Sequence, residues 1–197
     1  MPQLIGLSLT HDLRANLVKT IPHLRAFAIS LCGNVDQADD LVQEAILRGL
    51  SHLDRFEPGT NLQAWLFTIL RNQFHTSFRK RRREAEDPDG IMAGMLSTLP
   101  EQEGHLDMSD LQKALAQLSV AHREVLLLIG AEGLSYEEVA QIVGTNVGTV
   151  KSRMNRARAR LAELLHVKDD DDLGTNPVIR AALAADAGRR VGLQQAA

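Results

Sequence analysis

Apolar residues along the chain recur at the three- and four-residue spacing of helices, and no useful stretch alternates with the period of a strand. Near the N-terminus, Leu13 and Leu17 keep helical spacing. A second helical stretch is predicted to begin at Pro22, because proline suits a first helical turn, and to stop at Gly33. The pattern therefore predicts helices from the start of the chain.

Two more helices are predicted before residue 84. Asp36 is expected to cap the first, and Asn61 the second, after the turn signal Glu57-Pro58-Gly59-Thr60. Trp65 lies at helical spacing with other apolar residues of the second helix and is expected in the core. The apolar stripe predicted for the first of the two consists of Leu41, Val42, Ala45, Ile46, Leu50 and Leu53.

The periodicity is lost over residues 84–107, where glycines and prolines stand among acids, and it returns at Leu111. We therefore predict an all-α chain of two small helical domains joined by a flexible acidic linker. The predicted boundaries are 10–83 for the first domain, 84–107 for the linker, 108–167 for the second domain, and 168–197 for a disordered tail rich in Asp and Ala.

The charge is distributed unevenly along the chain. The net charge is −3, yet residues 1–83 carry +4, residues 84–110 carry −8 and residues 111–168 carry +3. Two basic blocks on either side of an acidic strip are typical of a protein with two surfaces for a polyanion.

Composition excludes several classes of protein. No apolar run is long enough to span a membrane, no signal peptide is evident, and the single Cys32 rules out an internal disulfide. We expect a cytoplasmic protein with a buried thiol, no cofactor, no metal and no small-molecule substrate. Enzymatic motifs such as HExxH and the phosphate-binding glycine loop are missing, so we expect no enzyme.

The most informative segment is SYEEVAQIVGTNVGTVKSRMNRARARLAELL, from residue 135 to 165. Ser135 followed by Glu138 predicts a capping box at the start of a helix. Gly144 ends that helix only a few residues before the next one begins. Ser135 also offers a hydroxyl and helix-terminal amides to a phosphate.

Two helices that cross closely need a small residue at the crossing, here Ala140, and an apolar anchor on the second helix, here Val150. Such a second helix lies in the major groove, with early residues at base edges and arginines on phosphates. The alternative is an amphipathic hairpin with a solvated basic face. The basic residues of the second helix are Lys151, Arg153, Arg156, Arg158 and Arg160.

This segment, together with HREVLLLIGAEGLSYEEVA (122–140), resembles the promoter-reading domain of extracytoplasmic-function (ECF) sigma factors of RNA polymerase. DQADDLVQEAILRGL (36–50) resembles the polymerase-binding helix of that family, and NLQAWLFTILRNQFHTSFRKRRR (61–83) its promoter-melting helix. FEPGTNLQAWLFTILRN (56–72) further resembles the general-stress, EcfG-type group. The resemblance implies core RNA polymerase, promoter DNA and an anti-sigma factor as partners, and promoter-specific initiation of transcription as the function.

The resemblance also implies a role for each matching stretch, and Asn155 is our candidate for sequence preference because relatives vary there. The basic run 79–83 would bind phosphates in a salt-dependent manner whatever the family. The implied polymerase-binding residues are Asp39, Asp40, Gln43, Glu44 and Arg48. The implied −10 contacts are Phe56, Gly59, Thr60, Asn61, Asn72, Arg79, Lys80, Arg81 and Arg82. The −35 contacts are Ser135, Thr149, Lys151, Ser152, Arg153, Asn155 and Arg156.

Two other functions compete with this interpretation. A response-regulator transcription factor would carry a receiver domain with strands, which residues 1–83 do not predict. A sigma-like mimic would sequester an anti-sigma factor without touching DNA, and its basic residues would then have no role. Because a flexible linker sets the effective concentration of two weakly binding domains, we expect the free protein to bind promoter DNA poorly.

Overall fold

The computed structural model describes residues 3–84 and 106–165, and their side chains from residue 13 to 81 and from 110 to 165. Within these residues every regular element is a helix and no strand occurs. The chain divides into an N-terminal unit, Met1–Leu99, and a C-terminal unit, Pro100–Ala197. The predicted all-α fold with two domains is confirmed.

Three long helices make up the described part of the N-terminal unit, and each packs against the other two. A short 3-10 helix, Leu53–Arg55, follows the second of them. The long helices are α1 (Gln3–Cys32), α2 (Val35–Ser51) and α3 (Leu62–Glu84).

The core of this unit is filled from all three helices. Phe27 of α1 and Phe67 of α3 meet edge to face, with ring centroids 5.1 Å apart, an arrangement that the quadrupoles of aromatic rings favour. Cys32 is buried, as predicted, and its burial raises the pKa of the thiol to about 11. Other buried members are Leu17, Leu24, Ala28, Leu31, Ala38, Leu41, Val42, Ala45, Leu62, Leu66, Leu70 and Phe74.

Pro22 lies inside α1 and does not start a second helix, so the predicted division of this region is wrong. Proline has no amide hydrogen to give to the carbonyl of Val18, four residues earlier. Val18 is 61% exposed and Pro22 is exposed as well, so the missing bond falls on the side of the helix that water reaches. The buried face continues unbroken from Leu17 to Leu24 through Thr20.

Asn34 caps α2, and the prediction of Asp36 as the cap is wrong. Asn34 has an extended backbone and its Oδ1 accepts a hydrogen bond from the Gln37 amide at 2.9 Å. Asp36 lies in the first turn, where its carboxylate interacts favourably with the helix dipole. Asparagine and aspartate cap equally well, so residue type alone did not distinguish the two positions.

The buried face of α2 also differs from the prediction. Leu50 is 43% exposed, whereas the neighbouring Gly49 is buried. A Cβ at Gly49 would lie 2.9 Å from Leu66 Cδ2 and 3.7 Å from Trp65 Cζ3. Glycine therefore allows the side chains of α3 to close over α2. Trp65 is half-buried at this contact and not fully in the core.

Within residues 106–165 of the C-terminal unit there are four helices, and the last of them packs against the other three. The helices are α4 (Leu106–Ala116), α5 (Val120–Gly130), α6 (Tyr136–Val143) and α7 (Val147–Leu164). The buried core is Leu111, Ala114, Leu118, Val125, Leu126, Leu128, Ile129, Leu134, Val139, Ala140, Ile142, Val143, Val150, Met154, Ala157 and Leu161.

A buried cation, Arg123, joins α5 to the end of α4. Its Nη2 donates hydrogen bonds to the carbonyls of Ala116 and Leu118, both at 3.0 Å. Burial lowers the pKa of this guanidinium. The carbonyls at a helix C-terminus carry partial negative charge, so they compensate part of the cost of burying the cation.

The predicted acidic linker and the predicted disordered tail lie outside the described residues, apart from Glu84 at the end of α3 and Leu106 and Asp107 at the start of α4. Among the helices that are described, none is long and apolar enough to cross a membrane. The described His, Cys, Asp and Glu side chains form no cluster that could hold a metal ion.

We expect Phe27→Ala to lower the free energy of unfolding of the N-terminal unit by about 3–5 kcal/mol, because it removes a ring from a packed core. Urea titration followed by circular dichroism measures the change. The matched control is Val18→Ala on the exposed side of α1, expected within about 0.5 kcal/mol of the wild type. Equal effects of the two substitutions would contradict the packing described here.

Candidate nucleic-acid interface

Helices α6 and α7 form the predicted helix-turn-helix, and α6 begins with the predicted capping box. The amide and the hydroxyl of Ser135 both donate to Glu138 Oε2, at 2.8 and 2.9 Å, and the Glu138 amide donates to Ser135 Oγ at 3.1 Å. The Ser135 hydroxyl is thus engaged at its own helix start. A phosphate at this end of α6 would be bound by backbone amides.

The turn between α6 and α7 is only three residues long. Gly144 has φ 67° and ψ 43°, a left-handed conformation that glycine adopts readily, and it ends α6 as predicted. Asn146 caps α7, since its Oδ1 accepts a hydrogen bond from the Thr149 amide at 2.7 Å. We did not predict this cap, although an asparagine three residues before Thr149 is its sequence signal.

Apolar contacts fix the orientation of α7. Ala140 of α6 and Val150 of α7 are both buried, as the prediction of a close crossing required. Met154, Ala157 and Leu161 continue the buried face along the helix. Because this face packs against the other helices of the unit, the opposite face of α7 is left to solvent.

The predicted −35 contacts on α7 lie on its accessible side. Lys151 extends over the ring of Tyr136, with Nζ 5.8 Å from the ring centroid, which is within the range of a cation–π interaction. The exposed positions are Lys151, Ser152, Asn155 and Arg156, and the partly exposed ones are Thr149 and Arg153.

The arginines of α7 differ in whether an acid neutralises them. Arg153 and Arg156 form no hydrogen bond or ion pair with any residue that the structure describes. Further along the helix, Arg160 pairs with Glu163 at 2.9 Å. The early part of α7 therefore presents positive charge without a carboxylate partner in the described residues.

The positive field of these arginines extends to the neighbouring helix. His122, in the first turn of α5, is partly buried. Burial, and then the charges of Arg156 and Arg153, lower the pKa of its imidazole. Sequence reasoning did not identify His122, because its place beside α7 follows from tertiary packing and from no local pattern.

The loop before α3 is held in shape by its own hydrogen bonds. Thr60 Oγ1 donates to the Glu57 carbonyl at 2.7 Å, and Asn61 caps α3 as predicted by accepting from the Ala64 amide at 3.2 Å. Gly59 has φ 93°. Positions 59, 60 and 61 are exposed, so this part of the predicted −10 surface is accessible.

Phe56 does not share that exposure. It is 7% exposed, and its ring packs against Trp65 with centroids 5.5 Å apart. Phe56 therefore anchors the loop from inside, and its contact with the −10 element stays a prediction.

The basic run at the end of α3 contains side chains in different surroundings. Asn72, Arg79 and Lys80 are exposed. Arg81 is half-buried, and its Nη1 donates to Gln37 Oε1 at 2.6 Å, which ties α3 to the start of α2. The side chains of Arg82 and Arg83 lie outside the described residues, so the structure gives no test of the Arg82 prediction.

The five predicted polymerase-binding residues are all exposed on α2. Asp39 forms a two-point ion pair with Arg25 of α1, at 2.6 and 3.1 Å, and that hydrogen bonding lowers the pKa of the Asp39 carboxyl. Glu44 and Arg48 pair with each other at 3.2 Å.

Apolar side chains lie among these polar residues. Leu47 is 60% exposed and Leu50 is exposed beside it. A groove between α1 and α2 continues from Leu47 and is lined by Ile21, Val42 and Ile46 as well as by the polar residues. The sequence did not predict this apolar surface, because the spacing of Val42, Ile46 and Leu50 placed all three in the buried stripe of α2.

Comparisons with known proteins match both units. The family described as Sigma-70 region 2 matches residues 17–84, and Sigma-70, region 4 matches residues 108–161. The chain is 52% identical over 178 residues to the ECF RNA polymerase sigma factor EcfG of Rhodopseudomonas palustris, covering 90% of this chain and 98% of that relative.

Solved structures agree. The sigma factor RpoE in complex with the anti-sigma factor NepR from Bartonella quintana is similar with a TM-score of 0.73 and 50% identity, over 80% of this chain and 99% of that chain. CnrH in complex with the cytosolic domain of CnrY is similar with a TM-score of 0.59 and 26% identity, over 81% and 91% of the two chains.

Ser135→Ala tests how much the capping box stabilises the C-terminal unit. We expect it to lower the free energy of unfolding of the C-terminal unit by about 1 kcal/mol, because the Glu138 amide loses its acceptor. Ser135→Asp, which keeps an acceptor at the cap, should stay close to the wild type. Thermal unfolding of the full chain measures both. An unchanged stability of Ser135→Ala would show that the capping box contributes little.

Proposed function

Because the chain belongs to the ECF family of RNA polymerase sigma factors, we propose that it binds core RNA polymerase through its N-terminal unit and that both units read promoter DNA. It is a sigma factor and directs promoter-specific initiation of transcription. It acts as an initiation factor without catalysis of its own, in the cytoplasm, where polymerase and DNA are. The EcfG-type sequence match supports stress-response promoters.

The C-terminal unit reads the −35 element through α7. The observation that supports this most strongly is the early part of α7, where Arg153 and Arg156 are accessible and have no carboxylate partner in the described residues. A phosphate backbone would supply the missing anions and release its counterions. Asn155 is exposed between the two arginines and can read base edges.

The N-terminal unit reads the −10 element through the loop at residues 59–61 and the exposed side of α3. Flipping a base out of the stack costs a few kcal/mol. A preformed loop adds little to this cost, because it does not have to be ordered on binding. Asn72, Arg79 and Lys80 would follow the DNA strand along α3. Arg81 would join this contact and also positions α3, through its hydrogen bond to Gln37.

The exposed face of α2 binds the polymerase, with Asp39, Asp40, Gln43, Glu44 and Arg48 around the apolar Leu47. An apolar anchor within a polar rim is the usual composition of a protein interface. An anti-sigma factor is a further partner, supported by the solved complex of the 50%-identical RpoE with the anti-sigma factor NepR.

Runoff transcription with purified core polymerase on a candidate stress promoter tests the function. We expect initiation that depends on this protein and falls at least tenfold in the Arg153→Ala, Arg156→Ala double variant, since each lost phosphate contact weakens binding. Arg160→Ala is the matched control on the same helix, because Arg160 already has a carboxylate partner.

The outcomes separate the alternatives. Loss of initiation in the double variant but not in Arg160→Ala supports −35 reading by α7. No initiation by the wild-type protein, together with tight binding to an anti-sigma factor, would instead identify a sigma-like mimic.

Binding to core polymerase tests the proposed α2 face. We expect Asp40→Arg to weaken binding at least tenfold, about 1.4 kcal/mol, because it reverses a charge at the interface. Asp54→Arg makes the same exchange at an exposed position outside this face and should bind like the wild type. Competition against fluorescently labelled wild-type protein measures both. Equal affinities of the two variants would place the polymerase elsewhere.

A further inference from the structure

Lys151 and Tyr136 form a contact between the two helices of the helix-turn-helix. Tyr136 is the first residue of α6, and it is only 5% exposed. The Lys151 ammonium of α7 lies over the tyrosine ring, with Nζ 5.8 Å from the centroid, and the lysine is exposed. The contact therefore joins a ring that burial holds in place to a charge that solvent and ligands can reach.

The ring restricts the lysine without using up its hydrogen-bonding capacity. The face of an aromatic ring attracts a cation because the ring quadrupole makes that face negative. An exposed lysine samples many rotamers and loses this freedom when it binds a ligand. Over Tyr136, part of that freedom is already lost in the free protein, while the three N–H donors of the ammonium remain for an acceptor.

The same helix shows what an ion pair would do in place of the ring. Further along α7, Arg160 is held by Glu163 at 2.9 Å, and the carboxylate neutralises its charge. A tyrosine ring carries no net charge, so it holds Lys151 and leaves the full positive charge of the ammonium to attract an anion.

Lys151 also lies on the side of α7 that is proposed to face DNA. Lys151 and Asn155 are four residues apart and both are exposed, so they share one face of the helix. A lysine ammonium is a compact point charge, which suits a phosphate oxygen, whereas a two-point contact with a base edge suits arginine or an amide. A phosphate beside the bases that Asn155 is proposed to read is therefore the ligand that fits Lys151.

We propose that Tyr136 is a positioning residue of the −35 interface, whose ring holds the Lys151 ammonium where it binds a phosphate of the DNA backbone. Tyr136 acts through Lys151. This inference rests on the proposed function of α7 and deepens it, because it assigns a buried residue of α6 to the affinity of α7 for DNA.

Equilibrium binding of reconstituted holoenzyme to a fluorescently labelled promoter tests the proposal as a double-mutant cycle. The cycle combines Tyr136→Leu with Lys151→Met, because methionine keeps an apolar stem without the charge. Tyr136→Phe restores the ring. A trifluorinated phenylalanine in place of Tyr136 keeps the shape of the ring and weakens its negative face. Lys113→Met makes the same exchange at an exposed lysine of α4 and is the matched control.

We expect Tyr136→Leu and the trifluorinated ring to weaken binding about 2- to 5-fold, the factor that corresponds to a cation–π contact at an exposed site. Tyr136→Phe should recover most of the wild-type affinity. In the Lys151→Met background the same changes of the ring should have no further effect. A purely structural role of Tyr136 would instead cost the same affinity in both backgrounds.

The salt dependence identifies the phosphate. Lys151→Met should reduce the slope of log affinity against log salt concentration by about 0.9, the value for one phosphate contact. Lys113→Met should leave the affinity and the slope as in the wild type. An unchanged slope in Lys151→Met would contradict the phosphate contact.

Two further results would overturn the role of Tyr136. One is an equal loss of affinity from Tyr136→Leu with and without Lys151. The other is wild-type affinity with the trifluorinated ring, and this comparison decides the matter even if Tyr136→Leu does not fold, since the fluorinated ring preserves the packing.

The double variant Arg153→Ala, Arg156→Ala runs in parallel and separates this inference from the function on which it rests. If that variant binds weakly and Lys151→Met binds like the wild type, only the role of Lys151 and Tyr136 is wrong. If the double variant binds like the wild type, the proposed function of α7 fails first.

Discussion

The C-terminal unit depends on one backbone conformation, that of Gly144. Its left-handed dihedral angles end α6 and let α7 begin three residues later. A Cβ at this position would meet no atom within 4 Å, so the requirement for glycine comes from the backbone alone and not from crowding. With so short a turn, α6 packs against α7 with Ala140 and Val150 both buried, and burial of one face of α7 leaves the polar face outward.

The described arginines fall into two groups by their hydrogen bonding. Arg25, Arg81 and Arg123 are each bonded to a neighbouring element, and they join α1 to α2, α3 to α2 and α5 to α4. Arg153 and Arg156 lack such bonds within the described residues. Net charge along the chain does not distinguish these groups, because a guanidinium that stabilises the fold and one that is open to a phosphate each contribute one positive charge.

Much of the fold and part of the site could be predicted from the sequence, and the successes share a physical basis. Periodicity, the Ser135–Glu138 capping box and Gly144 are local signals, and each was found where predicted. One failure is local, the choice of Asp36 over Asn34 as the cap of α2, whereas the others depend on the tertiary surroundings. Pro22 is tolerated because its missing bond faces water, and Leu50 is exposed because Gly49 packs under α3. The approach of His122 to α7 is likewise invisible to any pattern along the chain.

The hydrogen bond from Arg81 to Gln37 has a mechanical consequence. It fastens the far end of α3 to the first turn of α2, while Phe27 and Phe67 join α1 and α3 within the same unit. Closely packed interiors have low compressibility and transmit strain. Movement of a DNA strand bound along α3 would therefore be passed on to α2 and to whatever is docked there. Strand separation and polymerase attachment would then be mechanically coupled through α2 and α3.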